Sequence, residues 1–150
     1  MRIVLQRVNE ASVVVEGTEI SAIERGFLLL VGVGKGDTRE TAAAMAAKIS
    51  KLRVFQDENG KMNLDLKQVR GEVLSVPQFT LLGNTGKGNR PGFDAAAAPQ
   101  EAKILWKKFN EDIRSTGIPV KEGEFSACME VKLVNDGPVT FVMDSEQVRA

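Results

Sequence analysis

Gly26-Phe27-Leu28-Leu29-Leu30-Val31-Gly32-Val33 is an unbroken apolar run set between glycines. It is short for a helix, and apolar residues at successive positions predict a strand buried on both faces. Gly34-Lys35-Gly36 ends it. Upstream, Ile3 to Val8 is apolar and β-branched and reads as a strand. Ala11 to Val15, the turn Glu16-Gly17 and Thr18 to Ile23 read as a hairpin. Downstream, Asp37 is placed to cap a helix with Glu40 as its capping-box partner. Met45, Ile49 and Leu52 recur at helical spacing, so the helix is expected from Thr38 to about Leu52.

Val54-Phe55 opens a second hairpin whose turn is Asn59-Gly60. Glu72 to Val76 reads as a strand, and Gly83 to Gly92 as a loop with four glycines. Pro99 suits the first turn of a second helix. Ala102, Leu105, Trp106, Phe109 and Ile113 line one face of it, and Gly117 and Pro119 stop it. Met129 to Val134 and Val139 to Met143 read as two last strands, separated by Asn135-Asp136-Gly137-Pro138. Strands outnumber helices without regular alternation. The expected fold is therefore α+β: a mixed β-sheet or partly closed barrel of about six to seven strands, two main helices, and one domain over residues 1–150.

The composition, 43% hydrophobic and 27% charged, is that of a globular protein. Twenty basic residues balance twenty acidic ones. A protein that grips nucleic acid by overall charge is basic, so any RNA contact must be a local patch. Cys128 is the single cysteine, which excludes an intrachain disulfide and suits a reducing compartment. The opening Met1-Arg2-Ile3-Val4-Leu5-Gln6-Arg7 lacks the apolar run of a signal peptide. A cytosolic protein with no membrane or DNA partner is expected.

The chain contains no histidine. That excludes a Ser-His-Asp triad, a Cys-His pair and a histidine metal site, and one cysteine cannot build a zinc site. No metal and no cofactor are expected. Gly83-Asn84-Thr85-Gly86-Lys87-Gly88 has the look of a phosphate loop, but Gly88 stands where Ser or Thr should hold magnesium.

Two segments stand out. In Val76-Pro77-Gln78-Phe79-Thr80-Leu81, Pro77 has no N–H for a ladder, so the strand is broken or at an edge. The N–H groups after it are then free for a ligand, with Gln78 and Thr80 on one face of an extended segment and Phe79 on the other. The plainer alternative is a strand end with an ordinary core phenylalanine. In Asn135-Asp136-Gly137-Pro138-Val139-Thr140, Gly-Pro reads equally as a simple turn or as a functional motif.

Met1-Arg2-Ile3-Val4-Leu5-Gln6-Arg7-Val8, Gly60-Lys61-Met62-Asn63-Leu64, Gln78-Phe79-Thr80-Leu81, Arg90-Pro91 with Phe93, and Asn135 to Thr140 follow one another in the order of the D-aminoacyl-tRNA deacylases, which the chain resembles over nearly its whole length. The resemblance implies hydrolysis of the ester joining a D-amino acid to tRNA, with glycine mischarged on alanine tRNA as a further substrate. It implies a homodimer whose sites are shared between subunits. There a cis Gly-Pro motif, carried over to Gly137 and Pro138, enters from the partner and rejects L-amino acids.

The resemblance further implies that Gln78, Phe79 and Thr80 form the catalytic segment, with N–H groups around Phe79 and Thr80 stabilising the oxyanion. A 2′-hydroxyl of the tRNA assists the attacking water. Arg7 helps hold the Gly-Pro motif in place, and Pro77 and Thr140 are further candidates for a supporting role. Thr80 as a nucleophile is an alternative, although no activating base is visible. Lys87, Arg90, Lys61 and Lys132 are candidate phosphate contacts, and Met129 and Phe125 candidate walls of an adenine pocket. Each is equally readable as solvated charge or core.

Pro77 departs from the family, which has serine there. A related deacylase that removes L-alanine from mischarged tRNA also has Pro-Gln at this place, with a trans Gly-Pro bond. A relaxed-chirality deacylase and a catalytically impaired tRNA-end binder are thus the competing readings. A general esterase lacks a nucleophile–base pair.

Overall fold

The computed structural model describes residues 1–148. The elements are β1 Arg2–Val15, β2 Thr18–Ile23, β3 Gly26–Gly32, α1 Arg39–Lys51, β4 Phe55–Gln56, β5 Met62–Leu64, β6 Glu72–Pro77, a 3₁₀ turn Phe79–Leu82, α2 Pro99–Arg114, β7 Val120–Glu122, β8 Glu130–Asp144 and a 3₁₀ turn Ser145–Gln147. Six strands form one mixed sheet in the order β2-β1-β3-β6-β7, with β8 on the other side of β1. β3–β6 and β6–β7 are parallel pairs and the rest antiparallel. The sheet curls until Lys121 on β7 donates to the Ala22 carbonyl on β2 at 2.7 Å, which nearly closes a barrel. β4 and β5 pair as a separate small hairpin.

The apolar run is the wall between two cores. Phe27, Leu29 and Val31 face a large core with Met45 and Ile49 of α1 and Trp106, Phe109 and Ile113 of α2. Leu28 faces the barrel interior with Val8, Val13, Leu74 and Val76. Both faces are covered, as a continuous apolar strand requires. Ser75, fully buried on β6, accepts from the Trp106 indole N–H at 2.9 Å, so the buried polar side chain of that strand is satisfied.

The strand boundaries differ from the sequence expectation in an instructive way. Ile3–Val8 and Ala11–Val15 are one strand, and the two segments flanking Gly137-Pro138 are one strand as well. Both halves of β8 pair with β1, so the Gly-Pro segment does not reverse the chain. From Val8 to Gln6 β1 advances two residues, while β8 advances five, from Asn135 to Thr140; three extra residues, Asp136, Gly137 and Pro138, therefore loop out of the ladder. From Val8 to Glu10 the surplus is one residue on β1, a bulge at Asn9. The bulge switches which face the side chains occupy. Ile3 and Leu5 pack with the helices, whereas Ala11 and Val13 point into the barrel.

The first helix is capped by Thr38 rather than Asp37. Its side chain accepts from the Thr41 N–H at 3.2 Å and the Thr41 hydroxyl accepts from the Thr38 N–H at 3.1 Å. Asp37 is engaged elsewhere: it accepts from the Gly34 N–H at 2.6 Å and holds the Met1 ammonium at 2.5 Å. β7 was not expected from the sequence. Three residues are too few to show a period, and it is defined by pairing with β6.

Candidate functional site

Pro77 is the last residue of β6, opposite Val31 on β3. Beyond it the chain is not extended. Gln78 donates its N–H to the Val31 carbonyl at 2.8 Å, and Phe79–Leu82 coil into a 3₁₀ turn. The expectation of an extended segment fails because the chain must leave a strand whose neighbour stops at Gly32. A β-carbon on Gly32 would stand 2.5 Å from Leu82 Cδ2 and 3.0 Å from the Gln78 carbonyl, so glycine lets the turn settle directly onto β3.

The N–H groups that open a 3₁₀ turn have no acceptor within it. Gln78 supplies no side-chain cap. Its amide instead meets the Thr80 hydroxyl, which puts those two side chains together. Phe79 is 57% exposed, so it is not an ordinary core residue. Its ring packs edge-on against Phe93, with centroids 5.2 Å apart. Phe93 follows the loop that carries exposed Lys87 and Arg90 and is closed by the Asn84 and Gly92 backbones at 2.7 and 2.9 Å. The result is a shallow site with free backbone donors, an aromatic pair and a basic loop.

Met129 lies near this site: a β-carbon on Gly123 would meet Met129 Sδ at 2.9 Å and Pro77 Cδ at 3.6 Å. Phe125 is half-buried against Trp106, with centroids 5.9 Å apart, and packs on the helix-side core. Lys61 sits in the β4–β5 hairpin. Lys132 lies opposite Ser12, ten residues along β1 from Arg2, about 34 Å at strand rise. Lys132 therefore stands far along β1 from the rung that touches the 3₁₀ turn.

The Gly137–Pro138 peptide bond is cis, and Gly137 has φ +119. Both residues are exposed. Asn135 spans the base of this loop, donating to the Arg7 carbonyl at 2.9 Å and the Val139 carbonyl at 3.1 Å. Its own carbonyl oxygen faces Gln6 and Thr140, each at 3.3 Å. Arg7 is 5% exposed, a buried cation rather than a surface charge. It donates to the Val54 carbonyl at 2.6 Å, and its Nε stands 3.0 Å from Asp136 Oδ2. Arg7 Nη2 would lie 3.2 Å from a β-carbon on Gly137. The loop thus rests on a buried cation and an amide clamp.

The two candidate segments do not meet within one chain. Arg2 touches the 3₁₀ turn, donating to the Leu81 carbonyl at 2.9 Å. The rung of β1 at the Gly-Pro loop is Arg7, five residues and about 17 Å further along. Sequence reasoning did not single out Arg2 or the bridging role of Asn135. Both residues lie inside stretches that carry the family resemblance, but no local pattern sets either apart from its neighbours.

Asp144, opposite Arg2, has its carboxyl held below the usual aspartate range, chiefly by the Glu146 N–H, against the opposing effect of burial and with help from the Arg2 guanidinium. A depressed folded pKa gives stability that is present above the unfolded value and lost as pH falls through the folded one. The melting difference between wild type and Asp144→Asn should therefore stay constant from neutral pH to about pH 5, begin to shrink at about pH 4 and vanish only below the folded pKa, which lies under the ordinary aspartate value of 3.8. Thermal melts across that range check it; a difference that disappears near neutrality would contradict the assignment.

A family model for D-Tyr-tRNA(Tyr) deacylase matches residues 4–144. A D-aminoacyl-tRNA deacylase of Geobacter metallireducens is 55% identical over 145 residues, covering 97% of this chain and 96% of its own. One of Thermotoga petrophila is 52% identical over 148 residues, covering 99% of each. A solved structure described as a c-Myc DNA unwinding element binding protein superposes with TM-score 0.90 at 42% identity, covering 96% of this chain and 98% of its own. A probable eukaryotic D-amino acid tRNA deacylase superposes at 0.79 with 16% identity, over 95% and 97%, and shares the fold.

Proposed function

Because the chain belongs to the D-Tyr-tRNA(Tyr) deacylase family and is a hydrolase of the ester bond of D-aminoacyl-tRNA, we propose that it works as a cytoplasmic homodimer in which each site joins the 3₁₀ turn of one subunit to the Gly137-Pro138 loop of the other. The observation that carries this reading is the separation along β1. The free donors and the exposed Gly-Pro loop lie about five rungs apart in one chain, so a single subunit holds half a site at each place.

The outer edge of β8 supports it. Among the described residues this fifteen-residue strand pairs with β1 alone, and Val134, Phe141 and Val142 are exposed on it, Val142 to 69%. A long apolar edge strand is an invitation to association.

In this mechanism a water attacks the ester carbonyl carbon, and the oxygen becomes an oxyanion facing the Phe79 and Thr80 N–H groups. Collapse breaks the bond to the ribose oxygen, which takes up a proton. The chain contains no histidine, and among the described residues the hydrogen-bond partner of the Thr80 hydroxyl is the Gln78 amide, which is not a base. The adenosine 2′-hydroxyl assists the water, and the protein supplies position and donors. Lys87 and Arg90 hold the acceptor-end phosphates, and the exposed face of Phe79 offers a surface for a base. The partner's Gly-Pro carbonyls accept the substrate amino group. A D-residue then points its side chain outward, whereas an L-residue drives its β-carbon into backbone. A thousandfold preference needs about 4 kcal/mol, within reach of such a clash. Glycine has no β-carbon, so glycyl-tRNA passes the filter.

No helix among the described residues is long and apolar enough to cross a membrane. The test is deacylation of matched D-, L- and glycyl-tRNA by the pure protein, beside its sedimentation. Turnover of the D- and glycyl esters by a dimer is expected. L-alanyl turnover at the D rate would favour the relaxed enzyme. Binding without hydrolysis would favour a tRNA-end binder.

A further inference from the structure

The 3₁₀ turn has two attachments. At its entry, the Gln78 N–H is tied to β3 through the Val31 carbonyl at 2.8 Å, and Gly32 lies underneath. At its exit, the Leu81 carbonyl accepts from Arg2 Nη1 at 2.9 Å. The rest of that guanidinium is committed too: Nε and Nη2 each lie 3.3 Å from Asp144 Oδ2. Asp144 is itself fixed by the Glu146 N–H at 3.0 Å and stands opposite Arg2 in the β1–β8 ladder.

From these contacts we infer that Arg2 is a positioning residue, a strut that sets the angle of the Phe79–Leu82 turn and so the aim of its free N–H groups. This rests on the reading that those groups receive the ester carbonyl. The guanidinium is planar and rigid, so two nitrogens engaged with Asp144 fix the direction in which the third can donate. The Leu81 N–H reaches back to the Gln78 carbonyl at 3.3 Å, and the Gly83 N–H to the Thr80 carbonyl at 3.0 Å. A pull at Leu81 is therefore passed through the turn to Phe79 and Thr80. The strut joins strand β8, whose middle carries the Gly-Pro loop, to the catalytic turn of the same chain. Each subunit would then hold its donors in a fixed relation to the edge that meets the partner.

The Arg2 side chain is 42% exposed. A surface pair of this kind adds little to folding stability. A misplacement of about 1 Å at a reacting centre can nonetheless cost on the order of a hundredfold in rate. The strut should consequently show in turnover rather than in melting.

The experiment uses full-length Arg2→Ala and Arg2→Lys, with three readouts: steady-state deacylation of D-aminoacyl-tRNA, amide exchange over residues 79–83, and thermal melting. For Arg2→Ala, kcat should fall about tenfold or more, with KM within about twofold and exchange in the turn faster. Melting should stay within about 3 °C. Lysine, which can reach the Leu81 carbonyl or Asp144 but not fork between them, should restore part of kcat. A raised KM at unchanged kcat would mark Arg2 as a phosphate contact and overturn the inference. Unchanged kcat, or unchanged exchange, would overturn it as well. Should the wild-type protein fail to deacylate any D-aminoacyl-tRNA, the functional reading falls, and the exchange measurement by itself decides whether Arg2 anchors the turn.

Discussion

Gly137→Ala should lower kcat/KM for D-aminoacyl-tRNA about a hundredfold, the size expected when a site element moves by about 1 Å. Gly137 has φ +119, where an L side chain is strained. An added β-carbon would sit 2.7 Å from Val139 Cγ2 and 2.8 Å from the Val139 nitrogen. The second of these is backbone and cannot swing aside. The loop must therefore shift, and the Asn135 clamp and the Arg7–Asp136 pair beneath it limit where it can go. Folding should suffer less than catalysis, because the residue is exposed and its neighbours on β8 remain paired to β1. Measured rates on matched D- and L-aminoacyl-tRNA, with a melting curve, give the answer. A variant that melts normally and keeps full D-rate and full discrimination would remove Gly137 from the selectivity role.

Much of this architecture is legible in the residues, and the parts that are not share a cause. The run Gly26 to Val33 declares a two-faced strand because every position is apolar. The face of α2 declares itself through Ala102, Leu105, Trp106, Phe109 and Ile113, all buried as spaced. Local signals fail where a distant partner decides. Asn135 to Pro138 carries the chemistry of a turn, yet β1 runs past both sides of it, so it becomes a loop in a ladder.

Arg7 follows the same rule. In sequence it is a charge near a strand end, and only the packing of Val54, Asp136 and Phe55 around it makes it a buried post. The segment after Pro77 turns instead of extending because Gly32 leaves room below it, which no window around residue 78 reveals. The candidate residues are therefore nameable from motifs, while their separation into two places along β1 is visible only once its register is known.

The second large effect concerns the main chain at Thr80, and it separates two mechanisms that name the same residue. If the Thr80 hydroxyl were the nucleophile, Thr80→Ala would abolish turnover. Among the described residues the hydroxyl meets only the Gln78 amide, and an amide is not a base able to activate it. The expected result for Thr80→Ala is instead deacylation within about tenfold of wild type, since the N–H that faces the oxyanion is untouched. Thr80→Pro keeps a backbone conformation a 3₁₀ turn accepts but deletes that N–H. Loss of one such donor costs about a hundred- to a thousandfold in kcat. Single-turnover rates on D-aminoacyl-tRNA for the two variants make the comparison, with circular dichroism and dimer mass verifying the fold. Because proline also restricts Phe79 before it, a third protein carrying an ester in place of the Thr80 amide repeats the deletion without the ring. Should the alanine variant be dead while the ester-linked protein stays active, the hydroxyl and not the main chain would be doing the chemistry. The opposite order, alanine tolerated and ester crippled, is what a turn with uncommitted N–H groups and a chain without histidine demand.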